Sequence, residues 1–286
     1  MKQILIFTFL IAFYSNAFSQ TSKTVDFEIK YELISKGKTD KIEFICLIAQ
    51  DIVGIQTIKE INFSLEPNNV FFENGNKYAK FVIIDPAKKE KIKISYTLEI
   101  YHNDFATRVE HKEILLDSNN NYLSIEKFIE IDDEQIRRKA EELRGNQTIE
   151  TLKNIYLFVN ENISYSGFNP NDLGAKAALE NKAGDCSEFS DLFVALCRIN
   201  NIPARVIGGY TVDFENTPKH NWVQVYLKNY GWISFDPTPG NSSSFSNMEN
   251  RYIQISNVRN DKILSNYHNF TYLYWGDPIE VKEYFE

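Results

Sequence analysis

The chain has 286 residues, 43% of them hydrophobic and 24% charged, which excludes a disordered polymer and allows one large domain or two ordinary ones. A formal charge of −8 with no basic stripe argues against a nucleic-acid partner.

The first residues, MKQILIFTFLIAFYSNAFSQ, read as an export signal (residues 1–19). Lys2 is its positive start and Ile4 to Tyr14 an apolar run short for a bilayer span, while Ala17 and Ser19 place cleavage before Gln20. No later stretch is long and apolar enough for a membrane helix, so a secreted or periplasmic protein without a membrane span is expected. From Thr24 to Asp117 the dominant period is two. Val25, Phe27, Ile29, Tyr31 and Leu33 alternate with polar residues, and Ile92, Ile94, Tyr96, Leu98 and Ile100 do the same. Shorter strands are expected near Ile42 to Ala49, Ile61 to Leu65 and Tyr78 to Ile84, separated by polar turns. Such a run indicates an antiparallel β-sandwich over residues 20–125.

After Ile131 the period changes. Asp132 and Asp133 precede a short helix that ends at Gly145, and Ile149, Leu152, Ile155, Tyr156, Val159 and Ile163 mark the stripe of a second. Ala175 to Asn181 is a third. Asp185 with Glu188 three residues on has the form of a capping box, which puts Cys186 in the first turn of a fourth helix with Phe189, Leu192, Phe193 and Leu196 as its buried stripe. Strands follow at Arg205 to Val212, His220 to Leu227 and Trp232 to Asp236. Gly240 to Asn247 reads as a polar linker, with closing strands beyond it. Helices followed by strands make residues 126–286 an α+β second domain.

Three cysteines are an odd number for an oxidising compartment. Cys186 and Cys197 on one helix would lie roughly 16 Å apart, beyond disulfide reach. Cys46 and Cys197 read as small buried hydrophobes. Cys186 does not, because a thiol at a helix N-terminus meets unpaired N–H groups and the positive end of the dipole. Its acidic neighbours oppose ionisation, so a nucleophile there needs a base. Of the four histidines, His102, His111 and His268 sit in polar surroundings and read as surface. His220 opens a strand, and a hairpin turning near Asn229 brings Asp236 to the same open end. That spacing allows a carboxylate to orient an imidazole beside the thiol. Arg205 reads as a structural ion pair before it reads as a substrate contact. Gly184 fits either a clear approach to Cys186 or a simple turn, and Gly208–Gly209 fits a bulge. No metal-ligand spacing occurs.

GDCSEFSDLFVALCRINNIPARVIGGY, HNWVQVYL and GWISFDPTPG together resemble the core of the transglutaminase-like superfamily, relatives of papain-type cysteine enzymes, over residues 148–240. The sandwich is similar, more loosely, to the β-domain that precedes this core in secreted bacterial members. The resemblance implies Cys186 as nucleophile, His220 as general base and acid, and Asp236 as the residue orienting His220. It implies amide acyl transfer through a thioester, without cofactor or metal, on a protein or peptide substrate. The oxyanion hole would take the Cys186 backbone N–H, with Tyr165 as a further candidate; Trp222 reads first as packing beside the site and second as a wall of the cleft, an oxyanion or substrate candidate. Hydrolysis is the first expectation. Crosslinking of glutamine to an amine is the second, and a binding module with a vestigial core the third.

Overall fold

The structure, a computed structural model, describes residues 21–104, 122–212, 219–240, 243–245, 247–265 and 269–286. The residues read as an export signal, His111 and His268 lie outside the described residues. The first half is β1 (Ser22–Ser35), β2 (Thr39–Ile48), β3 (Gln56–Phe63), β4 (Asn69–Glu73), β5 (Asn76–Ile84), β6 (Lys89–Tyr101) and the two-residue β7 (Asn103–Asp104). Then come α1 (Glu134–Glu142), α2 (Thr148–Asn162), β8 (Ser164–Tyr165), α3 (Gly174–Asn181), β9 (Ala183–Gly184) and α4 (Cys186–Ile199). The chain continues through β10 (Ala204–Thr211), β11 (Lys219–Leu227), β12 (Gly231–Phe235), β13 (Asn247–Met248), β14 (Tyr252–Ser256), β15 (Phe270–Gly276) and β16 (Ile279–Phe285). The fold is α+β, and no helix of the described residues is long and apolar enough to cross a membrane.

Two antiparallel sheets, ordered β16-β1-β6-β3 and β15-β2-β5-β4, form the sandwich. The alternating residues of β1 and β6 all point into it: Phe27, Ile29, Tyr31 and Leu33 meet Ile94, Leu98, Phe44 and Phe81 in one core. Cys46 is buried there. One expectation is corrected. The last two strands, assigned by sequence to the second domain, return to the sandwich: Phe270↔Cys46 pairs β15 with β2, and Lys30↔Tyr284 pairs β16 with β1. The helical part and its sheet are therefore an insertion into the sandwich, with β1 and β16 neighbours in one layer. β4 is also a strand, where the sequence showed only two turns close together.

The inserted part packs α1 to α4 against the sheet β12-β11-β10-β14. Asp133 caps α1, accepting from the Gln135 and Ile136 amides at 2.9 and 3.2 Å. Leu152, Ile155, Tyr156 and Val159 of α2 are buried, as their spacing requires. α4 is more than an amphipathic helix: every residue from Ser187 to Arg198 is buried, because helices cover one side and β10 and β11 the other. The stretch read as a linker contributes Phe245, which meets Phe235 at 5.3 Å and Tyr156 at 5.7 Å between ring centroids.

The two halves are joined by a buried polar seam. Gln56 of β3 donates to the Gln254 carbonyl at 2.9 Å and accepts from the Gln254 amide at 2.8 Å. Asn76 and Tyr78 of β5 donate to Asp261 at 2.8 and 2.5 Å. Such groups are satisfied only in one arrangement, so the seam fixes the inserted part on the sandwich. At Gly208–Gly209 the pairing of β10 with β14 slips by a bulge. A Cβ on Gly209 would fall inside the Ile253 carbonyl and 2.7 Å from the Trp222 ring, whereas one on Gly208 meets nothing nearer than 3.4 Å. Gly209→Ala should therefore cost about 3 kcal/mol through overpacking and Gly208→Ala well under half of that, measured by urea unfolding.

Candidate active site

Cys186 stands where the sequence puts it, at the first residue of α4. The capping box is complete: Asp185 Oδ1 accepts from the Ser187 amide at 2.8 Å, and Glu188 Oε2 accepts from the Asp185 amide at 3.0 Å. The remaining carboxylate oxygens hold the preceding loop, Asp185 Oδ2 taking the Asn169 amide at 3.0 Å and Glu188 Oε1 the Leu173 amide at 2.8 Å. The acids that seemed to oppose a thiolate are thus turned to backbone amides, and burial raises the Glu188 pKa. Gly184 has a packing reason: a Cβ there would run into Glu188, so the glycine lets the chain pass its own cap. Tyr165 is stitched alongside, since β8 and β9 pair in parallel with Tyr165↔Gly184.

β11 and β12 form the expected hairpin, with Leu227↔Gly231 nearest the turn and Val223↔Phe235 the last pair. Asp236, one step on, falls diagonal to His220 across the strands. His220 Nε2 lies 2.7 Å from Asp236 Oδ2. Asp236 is fully buried, His220 is 15% exposed by its side chain, and Cys186 is half-buried. Nε2 is taken by Asp236, and Cys186 lies near enough to the ring to help raise its pKa. Sulfur, imidazole and carboxylate are thus brought together. Burial disfavours charge on His220, but the Asp236 carboxylate, and after it Cys186, raise the imidazolium pKa to about 10. Burial also works against the Asp236 anion. The His220 charge, with hydrogen bonds from His220, the Tyr252 hydroxyl (2.7 Å) and the Thr238 amide (3.0 Å), holds it below the usual carboxylate range.

Cys186 and His220 line a cleft of about 570 Å³ with Asn221, Lys219, Tyr165 and Phe168 among its walls. Tyr165 is half exposed, and burial together with Cys186 and Asp185 raises its hydroxyl pKa, so it borders the sulfur. Trp222 takes the first of its two readings, packing beside the site, and the second, a substrate contact, is corrected. It is 1% exposed, does not line the cleft, and packs its ring 6.3 Å from His220 and 5.2 Å from Tyr252. It supports the imidazole rather than contacting a substrate, because the strand alternation that points Asn221 toward α4 turns Trp222 inward. Arg205 makes no ion pair with any described residue: its Nε and one terminal nitrogen donate to Gln224 Oε1 at 3.0 and 2.7 Å, and it lies 4.2 Å from the Trp232 ring centre. No spacing or motif announced Tyr252, on a strand beyond the supposed linker, or Arg259. The latter forks onto buried Asp191 at 2.8 and 3.0 Å and reaches Asp172 at 3.2 Å, tying α4 to the cleft loop.

Cys46 and Cys197 are fully buried, and burial pushes both thiols up. The His220–Asp236 pair also sets a pH window. The imidazole pKa is raised on folding, so its stabilisation is complete below about 6.5 and lost as pH climbs toward 10; that of Asp236, lowered on folding, is lost as pH falls below about 4. Asp236→Asn should bring the His220 titration, followed by NMR, down from about 10 toward the ordinary imidazole range. The variant's stability deficit should be on the order of 3 kcal/mol near pH 6 and shrink by pH 10.

Residues 136–237 match the family model described as the transglutaminase-like superfamily. YebA of Bacillus subtilis (strain 168), an uncharacterized protein, is 31% identical over 114 residues, which are 34% of this chain and 15% of that protein. The chain thus spans far less than two thirds of that relative. Among solved structures, a protein of Cytophaga hutchinsonii described as a candidate cysteine protease superposes with a TM-score of 0.62 at 17% identity, covering 92% of this chain and 93% of its own. The periplasmic domain of TgpA from Pseudomonas aeruginosa gives 0.43 at 16% identity over 73% of this chain and 69% of that one. At these identities the first likeness speaks for the fold, sandwich included.

Proposed function

We propose that this chain, whose residues 136–237 match the transglutaminase-like superfamily, is an exported thiol enzyme that cleaves amide bonds of peptides or proteins. The observation that carries the reading is the group Cys186–His220–Asp236 opening on one cleft. Cys186, at the helix N-terminus, passes its proton to His220 as it becomes the nucleophile. It attacks the substrate carbonyl, and the oxyanion forms against the Cys186 backbone N–H with Tyr165 alongside. His220 then gives its proton to the leaving amine, a thioester remains, and water activated by His220 releases the acid. Asp236, fixed by Tyr252 and the Thr238 amide, keeps Nε2 occupied so that Nδ1 serves the sulfur. The sandwich, we propose, holds this core and forms part of the same enzyme.

The same thioester offered to a lysine amine instead of water would make a crosslink, so the acceptor is the point to measure. Purified protein incubated with a casein digest and a primary amine should release new peptide termini without amine incorporation, read by mass spectrometry; amine incorporation without cleavage would make it a crosslinker. Cys186→Ala should lower turnover by at least about 10³-fold. Iodoacetamide at pH 7 should label Cys186 selectively, at a rate cut by His220→Ala, while Cys46 and Cys197 stay unlabelled until unfolding. Three equally inert thiols would leave a binding module as the better description.

A further inference from the structure

A second cavity, of about 420 Å³, shares Val206, Val258, Arg259 and Asp261 with the wall of the Cys186 cleft. Its lining carries five cations, Lys127, Arg198, Arg205, Arg259 and Lys262, against two carboxylates, Glu126 and Asp261. That is an excess of positive charge in a chain of net charge −8. Two of the cations are accounted for: Arg198 pairs with Glu126 at 2.7 Å, and Arg259 with Asp191 and Asp172. Asp261 is spent on neutral donors, the Asn76 amide, the Tyr78 hydroxyl and the backbone amides of Ile263 and Leu264. Lys127, Arg205 and Lys262 are left with no carboxylate within ion-pair distance among the described residues.

Arg205 is the most telling of the three. Its guanidinium is half-buried, shares the single oxygen of Gln224 between two of its donors, and lies against the Trp232 and Tyr122 rings. Every one of these partners is neutral. Burial, offset only in part by Tyr122, pushes its pKa down to about 10. A cation so placed is costly in the empty cavity and relieved by an arriving anion. Its planar fork suits a carboxylate in two-point contact, and the exposed Lys127 and Lys262 at the rim supply attraction without a desolvation cost.

We propose that this cavity binds a carboxylate group and that, because it shares a wall with the cleft, the group is an acidic residue of the substrate. The second half of this rests on the thiol-enzyme reading; the first does not. Calorimetry on the Cys186→Ala protein separates them, since binding is then read without turnover. Glutarate and a short glutamate-rich peptide should each bind saturably, more weakly as salt is raised. The double variant Lys127→Ala/Lys262→Ala should weaken both by about tenfold. Arg205→Gln should abolish binding, and the lysine pair carries the test if that variant fails to fold. Glutarate bound without the peptide would keep the carboxylate site and remove the substrate as its source. No saturable binding, or affinity unchanged in the lysine variant, would overturn the site. If the carboxylate site stands while the wild-type protein cleaves nothing, the enzyme reading alone has failed.

Discussion

A single buried carboxylate, Asp236, organises the site. It sits at the end of β12 and accepts from three donors: His220 on the neighbouring strand, Tyr252 on the far edge strand of the same sheet, and the Thr238 amide just beyond itself. A charge with no water around it is tolerable only when such donors converge. The sheet must therefore hold its four strands in one register for the anion to exist, and once it exists it fixes the imidazole. Trp222 and Tyr252 pack their rings beside His220, so the orienting group, the ring and its support are a single packed unit.

The nucleophile is positioned by different physics. Cys186 depends on how α4 begins, and that beginning is set by reciprocal hydrogen bonds between Asp185 and Glu188 whose spare oxygens also hold the loop bordering the cleft. The helix is buried all round, which suits a part that must not shift. Hydrocarbon from α1 to α3 and from the sheet surrounds it, and the Asp191–Arg259 fork clamps its middle to the segment after β14. That segment is also where the polar seam with the sandwich runs. The sandwich is thus mechanically continuous with the wall of the cleft.

Local signals in the sequence were enough for local structure. Period-two alternation located β1 and β6, and the Asp185–Glu188 spacing located the start of α4 to the residue. The two-strand spacing about Asn229 placed Asp236 beside His220, because hairpin register is set by counting from the turn. What escaped was decided at long range. Tyr252 belongs to a five-residue strand whose partner, β10, is some forty positions earlier. Phe245 hides in a run of serines, where composition says linker and packing says core. Trp222 shares a strand face with His220, which lines the cleft, yet at Trp222 that face is covered by Ile207, Met248 and Tyr252. Arg205 invited an acid partner and found an amide and two rings, which no spacing rule anticipates.

The return of β15 and β16 to the first sheet layers has a kinetic meaning. Lys30 and Glu286 touch across a separation of 256 positions, so the sandwich has the slowest kind of contact to close and waits for β15 and β16. Until then β1 and β2 each lack an edge neighbour, and the halves cannot mature one after the other as beads on a string do. A chain cut before β15 would lose this closure and leave the margins of β1 and β2 unpaired, the kind of exposed edge that invites pairing with another chain.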